Sequence, residues 1–457
     1  MSTPKKGHLA AFAFPFGSHP TALLHLVKQL AAASPQLHFS YFNTQTSNHN
    51  IFSKLDTTDH HRALEDNIKI YDVDDGIPEG NVFSGDPMEI IEFFIKATPG
   101  NFSKRLEQVE KETGLKATCL LTDAFLWFSV EMAEEKGIPW LVYWAAGPAS
   151  ISLHLYTNVI HGKLGSDSQI QNLDQTLDFI PGMSAIRASD LPIEILQLNG
   201  LFSRMLYSMS NTIARASVVL LNSFDGIDSI VENDLKSKLK RLLTIGPFPL
   251  PKASTGSSTE DHSGCLSWLS HQAAASVAYV SFGTILTPPP PALVALAEAL
   301  EEKQVPYLWS FRDNSKRQLL KGFFERTGRI GKVVEWAPQS QVLSHPSVGV
   351  FVTHCGWNST LESIMGGVPM ICMPFFADQM INRRLMENVW RIGAGVEGVF
   401  SKSGAVEALD LVLWKDEGKK MRENIERLKE RAYMAVAENG SSTENFKSLT
   451  SIITPSN

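Results

Sequence analysis

Two residues far apart in the chain have the types needed to move a proton. His19 closes the segment Phe14-Pro15-Phe16-Gly17-Ser18-His19, a few residues after an apolar run. Gly17 permits a tight turn there. The histidine then stands at a helix N-terminus, whose positive end disfavours imidazolium and favours a neutral ring that accepts a proton. Asp123 follows a second apolar run, Cys119–Thr122. A carboxylate beside an imidazole fixes the ring tautomer and stabilises the charge formed when the ring is protonated. Plainer readings stay open: a capping or surface histidine, and an aspartate serving as a helix N-cap.

A denser cluster lies between Trp336 and Gln379. His354-Cys355-Gly356-Trp357-Asn358-Ser359 joins a predicted strand to a predicted helix. Gly356 lets backbone approach an anion, and Asn358, Ser359 and the first helical amides can donate to phosphate oxygens. Glu362 lies one turn in, where a carboxylate can take both ribose hydroxyls. Trp336 closes a preceding strand and offers an indole to a planar base. Asp378 and Gln379 follow Pro374-Phe375-Phe376 and suit sugar hydroxyls. Each is ordinary alone, since indoles usually sit in cores and Asn-Ser usually caps. Together they supply a base stacker, a ribose carboxylate, a diphosphate turn and a hydroxyl reader in one stretch.

Short apolar runs alternating with amphipathic ones must position these groups. Strands are expected at Leu9–Ala13, Leu37–Asn43, Ile68–Val73, Cys119–Thr122, Trp140–Tyr143 and Val218–Asn222, and helix at Pro20–Ala33. The pattern restarts with strands at Val277–Phe282, Pro306–Phe311, Lys332–Glu335, Gly349–Thr353 and Pro369–Met373. Helices follow at Pro291–Glu302, Ser359–Met365 and Met380–Trp390. Continuously apolar strands separated by helices imply parallel sheets covered on both faces. Gly246–Gly264, rich in Pro, Ser, Thr and Gly, reads as a linker. The expected class is α/β, with two Rossmann-like doubly wound domains facing across a cleft. Their bounds are 1–245 and 265–440, with 246–264 between them and a helical 441–457 at the end. The charged tail Leu409–Leu449 carries Lys/Glu pairs at helical spacing. Ligands of open parallel sheets lie beyond the carboxyl ends of strands. That places weight on His19, Asp123, Thr284, and His354 onward.

Composition narrows the function classes. The 457 residues are 43% hydrophobic and 19% charged, with a formal net charge of −7. An acidic balance argues against a nucleic-acid partner. The longest apolar run, Ile364–Ala377, holds Pro369 and Pro374 and falls short of the ~20 residues that span a bilayer. Cys119, Cys265, Cys355 and Cys372 form no CxxC pair, so a reducing, cytoplasmic setting is expected. Leu9–Phe16 after Lys5 and Lys6 reads as a first strand rather than a signal peptide, because Pro15 and Gly17 break it. The sequons at Asn101, Asn358 and Asn439 are then chance matches. Asp72-Val73-Asp74 spells a DxD metal motif but precedes the turn residues Asp75-Gly76. No metal and no other cofactor is expected. Gly393–Gly398 matches GxGxxG, but it follows a helical stretch and opens no strong helix, against a nicotinamide site.

Trp336–Gln379 resembles the signature of plant family 1 glycosyltransferases, which use UDP-sugars. Trp336-Ala337-Pro338-Gln339, His354 through Ser359, Glu362 and Asp378-Gln379 carry the likeness. Closer still, the chain is similar to flavonoid and anthocyanidin 3-O-glycosyltransferases. That likeness rests on Phe14-Pro15-Phe16, Leu121-Thr122-Asp123-Ala124-Phe125, Ser281-Phe282-Gly283-Thr284, Trp309-Ser310 and Gly440 through Phe446. The resemblance implies the GT-B fold, with acceptor held by the first half and UDP-sugar by the second, and a last helix crossing back. It implies an inverting single displacement in which His19 is general base and Asp123 its partner. Trp336 would stack on uracil, the Ala337 backbone would read its edge, and Glu362 would hold the ribose. Thr284, Ser310, His354, Asn358 and Ser359 would serve the diphosphate, and Trp357, Asp378 and Gln379 would touch the sugar. Ser18 and Gln339 complete the UDP-sugar set.

Acceptor residues implied by the resemblance are Phe14, Phe125, His154, Phe202 and Phe376. Met88 stands where relatives often carry a polar residue, so an acceptor hydrogen bond is expected to be missing. Ala145 stands where glucose users often carry Thr, whose hydroxyl reaches the sugar 6-OH. That makes UDP-rhamnose a rival to UDP-glucose as donor, while Gln379 favours glucose over galactose. Nothing in the sequence demands more than a monomer.

Overall fold

A computed structural model of the protein describes residues 7–53, 64–81, 83, 87–165, 172–248, 261, 263–283, 287–311, 320–396 and 398–455. Most of the expected linker 246–264, and Thr284, lie outside the described residues.

Most strands are apolar runs buried on both faces, while the edge strand Ile68–Val73 keeps Lys69 and Asp72 exposed. In the first half the strands are β1 (His8–Phe12), β2 (His38–Thr44), β3 (Ile68–Val73), β4 (Cys119–Asp123), β5 (Trp140–Trp144), β6 (Val218–Leu221) and β7 (Leu242–Thr244). They run parallel in the order β3-β2-β1-β4-β5-β6-β7. The second half supplies β8 (Val277–Ser281), β9 (Tyr307–Ser310), β10 (Gly331–Val334), β11 (Val348–Thr353), β12 (Met370–Cys372) and β13 (Gly393–Gly395). Their order is β10-β9-β8-β11-β12-β13, again parallel. Chain direction across each sheet reverses once, between β1 and β4 and between β8 and β11. Such switch points open a crevice at the strand ends. Phe12 pairs with Thr122, and Thr353 with Ser281, so the segments leaving each pair emerge at one level.

Helices cover both faces. The helix His19–Ala33 turns Leu23, Leu26, Val27 and Leu30 onto the first sheet, where they meet Leu9, Ala11, Phe39 and Leu121. The last helix, Ser441–Ile453, sets Leu449 and Ile453 into that same core, and Asn445 Nδ2 donates to the Thr244 carbonyl at 2.9 Å. The largest apolar cluster is continuous across the two halves. It joins Phe12, Trp144 and Leu153 to Trp357, Leu361 and Trp390.

Three elements depart from the sequence expectation. β7 and β13 were not expected as strands. Gly393-Ala394-Gly395 has little strand propensity, yet it pairs in register with Met370-Ile371-Cys372. A Cβ on Gly395 would lie 1.9 Å from Glu387 Oε1 and 2.5 Å from Arg383 Nε, so a larger residue would push those two side chains aside. The helix expected over Met380–Trp390 is an α-helix, Gln379–Arg384, that widens into a π-helical turn at Leu385–Val389. No helix among the described residues is long and apolar enough to cross a membrane.

Candidate active site

Gly17 adopts φ +63° and turns the chain between β1 and the helix that His19 opens. His19 Nδ1 lies 2.7 Å from Asp123 Oδ2, and the other carboxylate oxygen accepts the Phe125 amide at 3.0 Å. The Asp123 side chain is 1% exposed and that of His19 23% exposed. Burial pushes the His19 pKa down, but the charge and hydrogen bond of Asp123 push it further up, and Asp378 adds to the rise. The net shift is upward. The carboxylate in hydrogen-bond contact outweighs the downward pull that the helix terminus exerts on the ring. Ser18 is exposed and does not cap this helix through its side chain.

Aromatic rings surround the histidine. Phe125 lies 4.7 Å and Phe14 5.4 Å from its ring centre. Phe14 meets Phe16 at 5.1 Å and Phe94 at 5.7 Å, both edge to face. Phe202 closes on Phe125 at 6.0 Å, and Trp144 stands between Phe125 and His154. His154 is buried, which pushes its pKa down to about 4 and keeps it neutral. Phe14, Phe125, His154 and Phe202 thus come together on the first domain. Met88 is partly exposed near the start of the helix Pro87–Thr113. Phe376 stands on the second domain, beside Phe375. Phe16, Phe94 and Trp144 were not singled out from sequence. Phe16 alone had a signal, its place two residues after Phe14.

The facing wall is built after β11. Cys355, not Gly356, takes the left-handed conformation, with φ +67°. Gly356 is in extended backbone, and a Cβ there would lie 2.4 Å from His354 Nε2. A Cβ on Gly283 would lie 2.9 Å from the same nitrogen. The two glycines make room for the His354 ring. Burial pushes the His354 pKa down to about 4, so the ring is neutral.

The helix Trp357–Gly366 starts here. Its first indole is buried, donates to the Asn222 carbonyl at 2.7 Å, and presses so closely on Gly147 that a Cβ there would lie 2.8 Å from the ring. The Trp357 side chain is a strut between domains. Asn358 Oδ1 accepts Asn222 Nδ2 at 3.3 Å. Gln339 Nε2 donates to Ser359 Oγ at 2.9 Å and to Glu362 Oε2 at 2.6 Å, while Ser340 Oγ holds Glu362 Oε1 at 2.6 Å. Burial raises the Glu362 pKa against the pull of Ser340 and Gln339.

Trp336 is 56% exposed, a free indole face beyond β10, and Ala337 beside it is buried. Ser310 ends β9, partly buried. Gln379 Oε1 accepts the amides of Phe375 and Phe376 at 3.0 and 3.2 Å, which leaves its amide nitrogen as the donor on offer. Asp378 Oδ2 accepts Asn382 Nδ2 at 2.8 Å, and burial raises its pKa. Ala145 follows β5, half-buried.

Residues 248–431 match the family model described as UDP-glucoronosyl and UDP-glucosyl transferase. A flavonol 3-O-glucosyltransferase of Actinidia chinensis var. chinensis is 50% identical over 98% of this chain and 96% of its own length. The chain belongs to this family of UDP-glycosyltransferases. An anthocyanidin 3-O-glucosyltransferase of Vitis vinifera is 48% identical over 99% of this chain and 98% of its own. The crystal structure of a UDP-glucose: anthocyanidin 3-O-glucosyltransferase in complex with UDP superposes with a TM-score of 0.91 at 41% identity. It covers 99% of this chain and 100% of that one. The two facing parallel sheets are the GT-B architecture.

The glycosyltransferase holds its domains together with buried polar ties that sequence gave no sign of. Arg384 Nε donates to both oxygens of Asp190 at 3.0 Å across the domain boundary. Trp390 Nε1 donates to the Ile227 carbonyl at 3.0 Å. Asn222 and Ser340 were likewise unmarked. The DxD residues are occupied locally: Asp72 accepts Asn48 Nδ2 at 2.7 Å, and Asp74 accepts the Gly76 amide at 2.8 Å.

Proposed function

We propose that the protein transfers glucose from UDP-glucose to the 3-hydroxyl of a flavonol or anthocyanidin, with inversion at the anomeric carbon. One observation carries the reading: the His19–Asp123 pair, walled by aromatic rings, lies near enough to Asp378 of the second domain to feel its charge. The free His19 nitrogen takes the phenolic proton as the oxygen attacks the anomeric carbon. The bond from that carbon to the diphosphate breaks, and UDP leaves on the opposite face. Asp123 stabilises the imidazolium. A positioned base contributes ~10²–10⁴ in rate. The rings of Phe14, Phe125 and Phe202 suit edge and face contacts with a planar polyphenol.

On the donor side, Trp336 stacks on uracil and Ala337 reads its edge. Glu362, oriented by Gln339 and Ser340, takes the ribose. Ser18, Thr284, Ser310, His354, Asn358 and Ser359 serve the diphosphate, and Asp378 and Gln379 the sugar. The relatives' names favour glucose, so Ala145 does not by itself argue for rhamnose. The reading includes no metal, and the local hydrogen bonds of Asp72 and Asp74 support it. It also includes a monomer working in the cytoplasm, in keeping with four unpaired cysteines.

The test is a donor panel. Purified protein is given kaempferol with UDP-glucose, UDP-rhamnose or UDP-galactose, and product mass and kcat/KM are read for each. The expected result is preference for UDP-glucose, unchanged by EDTA. Preference for UDP-rhamnose would overturn the donor assignment and point to Ala145. No product from any donor would overturn the flavonoid assignment.

A further inference from the structure

Asn222 directly follows β6 and is buried. From sequence it is only the end of a strand. In the structure it ties three segments together. Its carbonyl oxygen accepts the Trp357 indole N–H at 2.7 Å. Its Oδ1 accepts the Phe248 backbone amide at 2.8 Å. Its Nδ2 donates to Asn358 Oδ1 at 3.3 Å. The backbone passes so near that a Cβ on Gly246 would lie 2.3 Å from Asn222 Oδ1.

The chemistry of these partners fixes which way each carboxamide points. The Phe248 amide can only donate, so the Asn222 atom facing it is oxygen. The Asn222 nitrogen then faces Asn358. That nitrogen can only donate, so Asn358 must turn its own oxygen toward it. The NH2 group of Asn358 is left for the cavity of about 220 Å³ that it lines with Thr21, His25 and Glu362.

We propose that Asn222 is a positioning residue for the UDP-sugar. It passes the donor-only character of the Phe248 amide through two carboxamides, so that Asn358 meets the diphosphate with N–H rather than with oxygen. A carboxamide free to flip would offer the anion a repulsive oxygen in half of its settings. The proposal rests on the assignment of Asn358 to the diphosphate.

A double-mutant cycle tests it, with Asn222→Ala, Asn358→Ala and the pair. KM for UDP-glucose, Kd for UDP by calorimetry, and kcat are measured on each full-length variant. Each single variant should weaken nucleotide binding by on the order of tenfold, the scale of a hydrogen bond to a charged group. The pair should be no worse than Asn358→Ala alone, because Asn222 acts through Asn358. Losses that multiply would overturn the proposal. Unchanged UDP binding in Asn358→Ala would instead overturn the diphosphate assignment beneath it. Asn222→Asp gives a second reading should Asn222→Ala not fold. It keeps an oxygen for Phe248 but offers Asn358 an acceptor, forcing its NH2 away from the diphosphate. UDP binding should then fall at least as far, and wild-type affinity in Asn222→Asp would overturn the proposal.

Discussion

Asp123 grips His19 with one carboxylate oxygen, 2.7 Å from Nδ1, while its other oxygen is held by the Phe125 amide at 3.0 Å. A carboxylate oxygen accepts and cannot donate, so the ring nitrogen facing it is the donor. The pair is therefore locked in one arrangement: Nδ1 carries the proton, and the opposite ring nitrogen is free to accept one.

Asp123→Asn should disable the base without removing it. The asparagine oxygen stays with the Phe125 amide, so its NH2 faces Nδ1. That forces the proton onto the other ring nitrogen, the one that must accept. kcat should fall by ~10²–10⁴ while UDP binding changes little. Steady-state rates and UDP calorimetry on the purified variant check this. A variant keeping a tenth or more of wild-type kcat would show that the tautomer does not matter.

The pH dependence follows from the raised His19 pKa. Burial lowers it, the charge and hydrogen bond of Asp123 raise it more, and protonated imidazole cannot act as base. Turnover should therefore rise with pH, with its midpoint above the ordinary histidine value of ~6.5. The same shift adds stability that is fully present below the unfolded pKa and lost as pH rises through the folded one. In Asp123→Asn the residual rate should lose this limb or show it at lower pH. A wild-type limb below the ordinary value would contradict the assignment of His19 as a base paired with Asp123.

What sequence revealed and what it hid divide on physical lines. Trp140–Trp144 and Val218–Leu221 could be read because burial on both faces leaves a continuous apolar string. Gly393-Ala394-Gly395 could not, since it has little strand propensity and is a strand through its pairing with Met370-Ile371-Cys372. The active-site rings Phe14, Phe125 and Phe202 were found through resemblance, whereas Phe94 sits inside a long helix with no local mark. Gly356 was marked by its place between a strand and a helix, while the His354 ring that crowds it left no mark in the local sequence. Asn222 and Asp190 act through partners more than a hundred positions away, and no local pattern announces such pairs.

Glu362 gives a binding prediction. Its carboxylate is held by Ser340 and Gln339 at 2.6 Å each, and burial raises its pKa. Protonation would cost the ribose an acceptor, so UDP-glucose affinity should decline as pH falls through that raised value. Ser340→Ala removes a bond that favours the charged form. The decline should then begin at higher pH, with affinity at neutral pH reduced severalfold, the scale of one hydrogen bond. Calorimetry with UDP-glucose across pH reads both effects. Identical pH profiles for the two proteins would show that Ser340 does not tune the carboxylate.

The Arg384–Asp190 tie predicts an unequal pair of stability effects. Both side chains are buried, and Asp190 also accepts the Arg187 amide at 2.9 Å. Removing only the carboxylate takes away the acceptor of two hydrogen bonds from the buried Arg384 Nε. Asp190→Ala should therefore destabilise by ~3–5 kcal/mol, the usual range for breaking a buried pair. Replacing Arg384 by Met in the same chain removes the buried charge as well, and part of that loss should return. Arg384 closes the helix that Gln379 opens, so the single variant should also raise KM for UDP-glucose, with the double variant between it and wild type. Chemical denaturation and kinetics on the two variants decide the matter. A double variant less stable than Asp190→Ala would mean that the guanidinium contributes by packing rather than by charge.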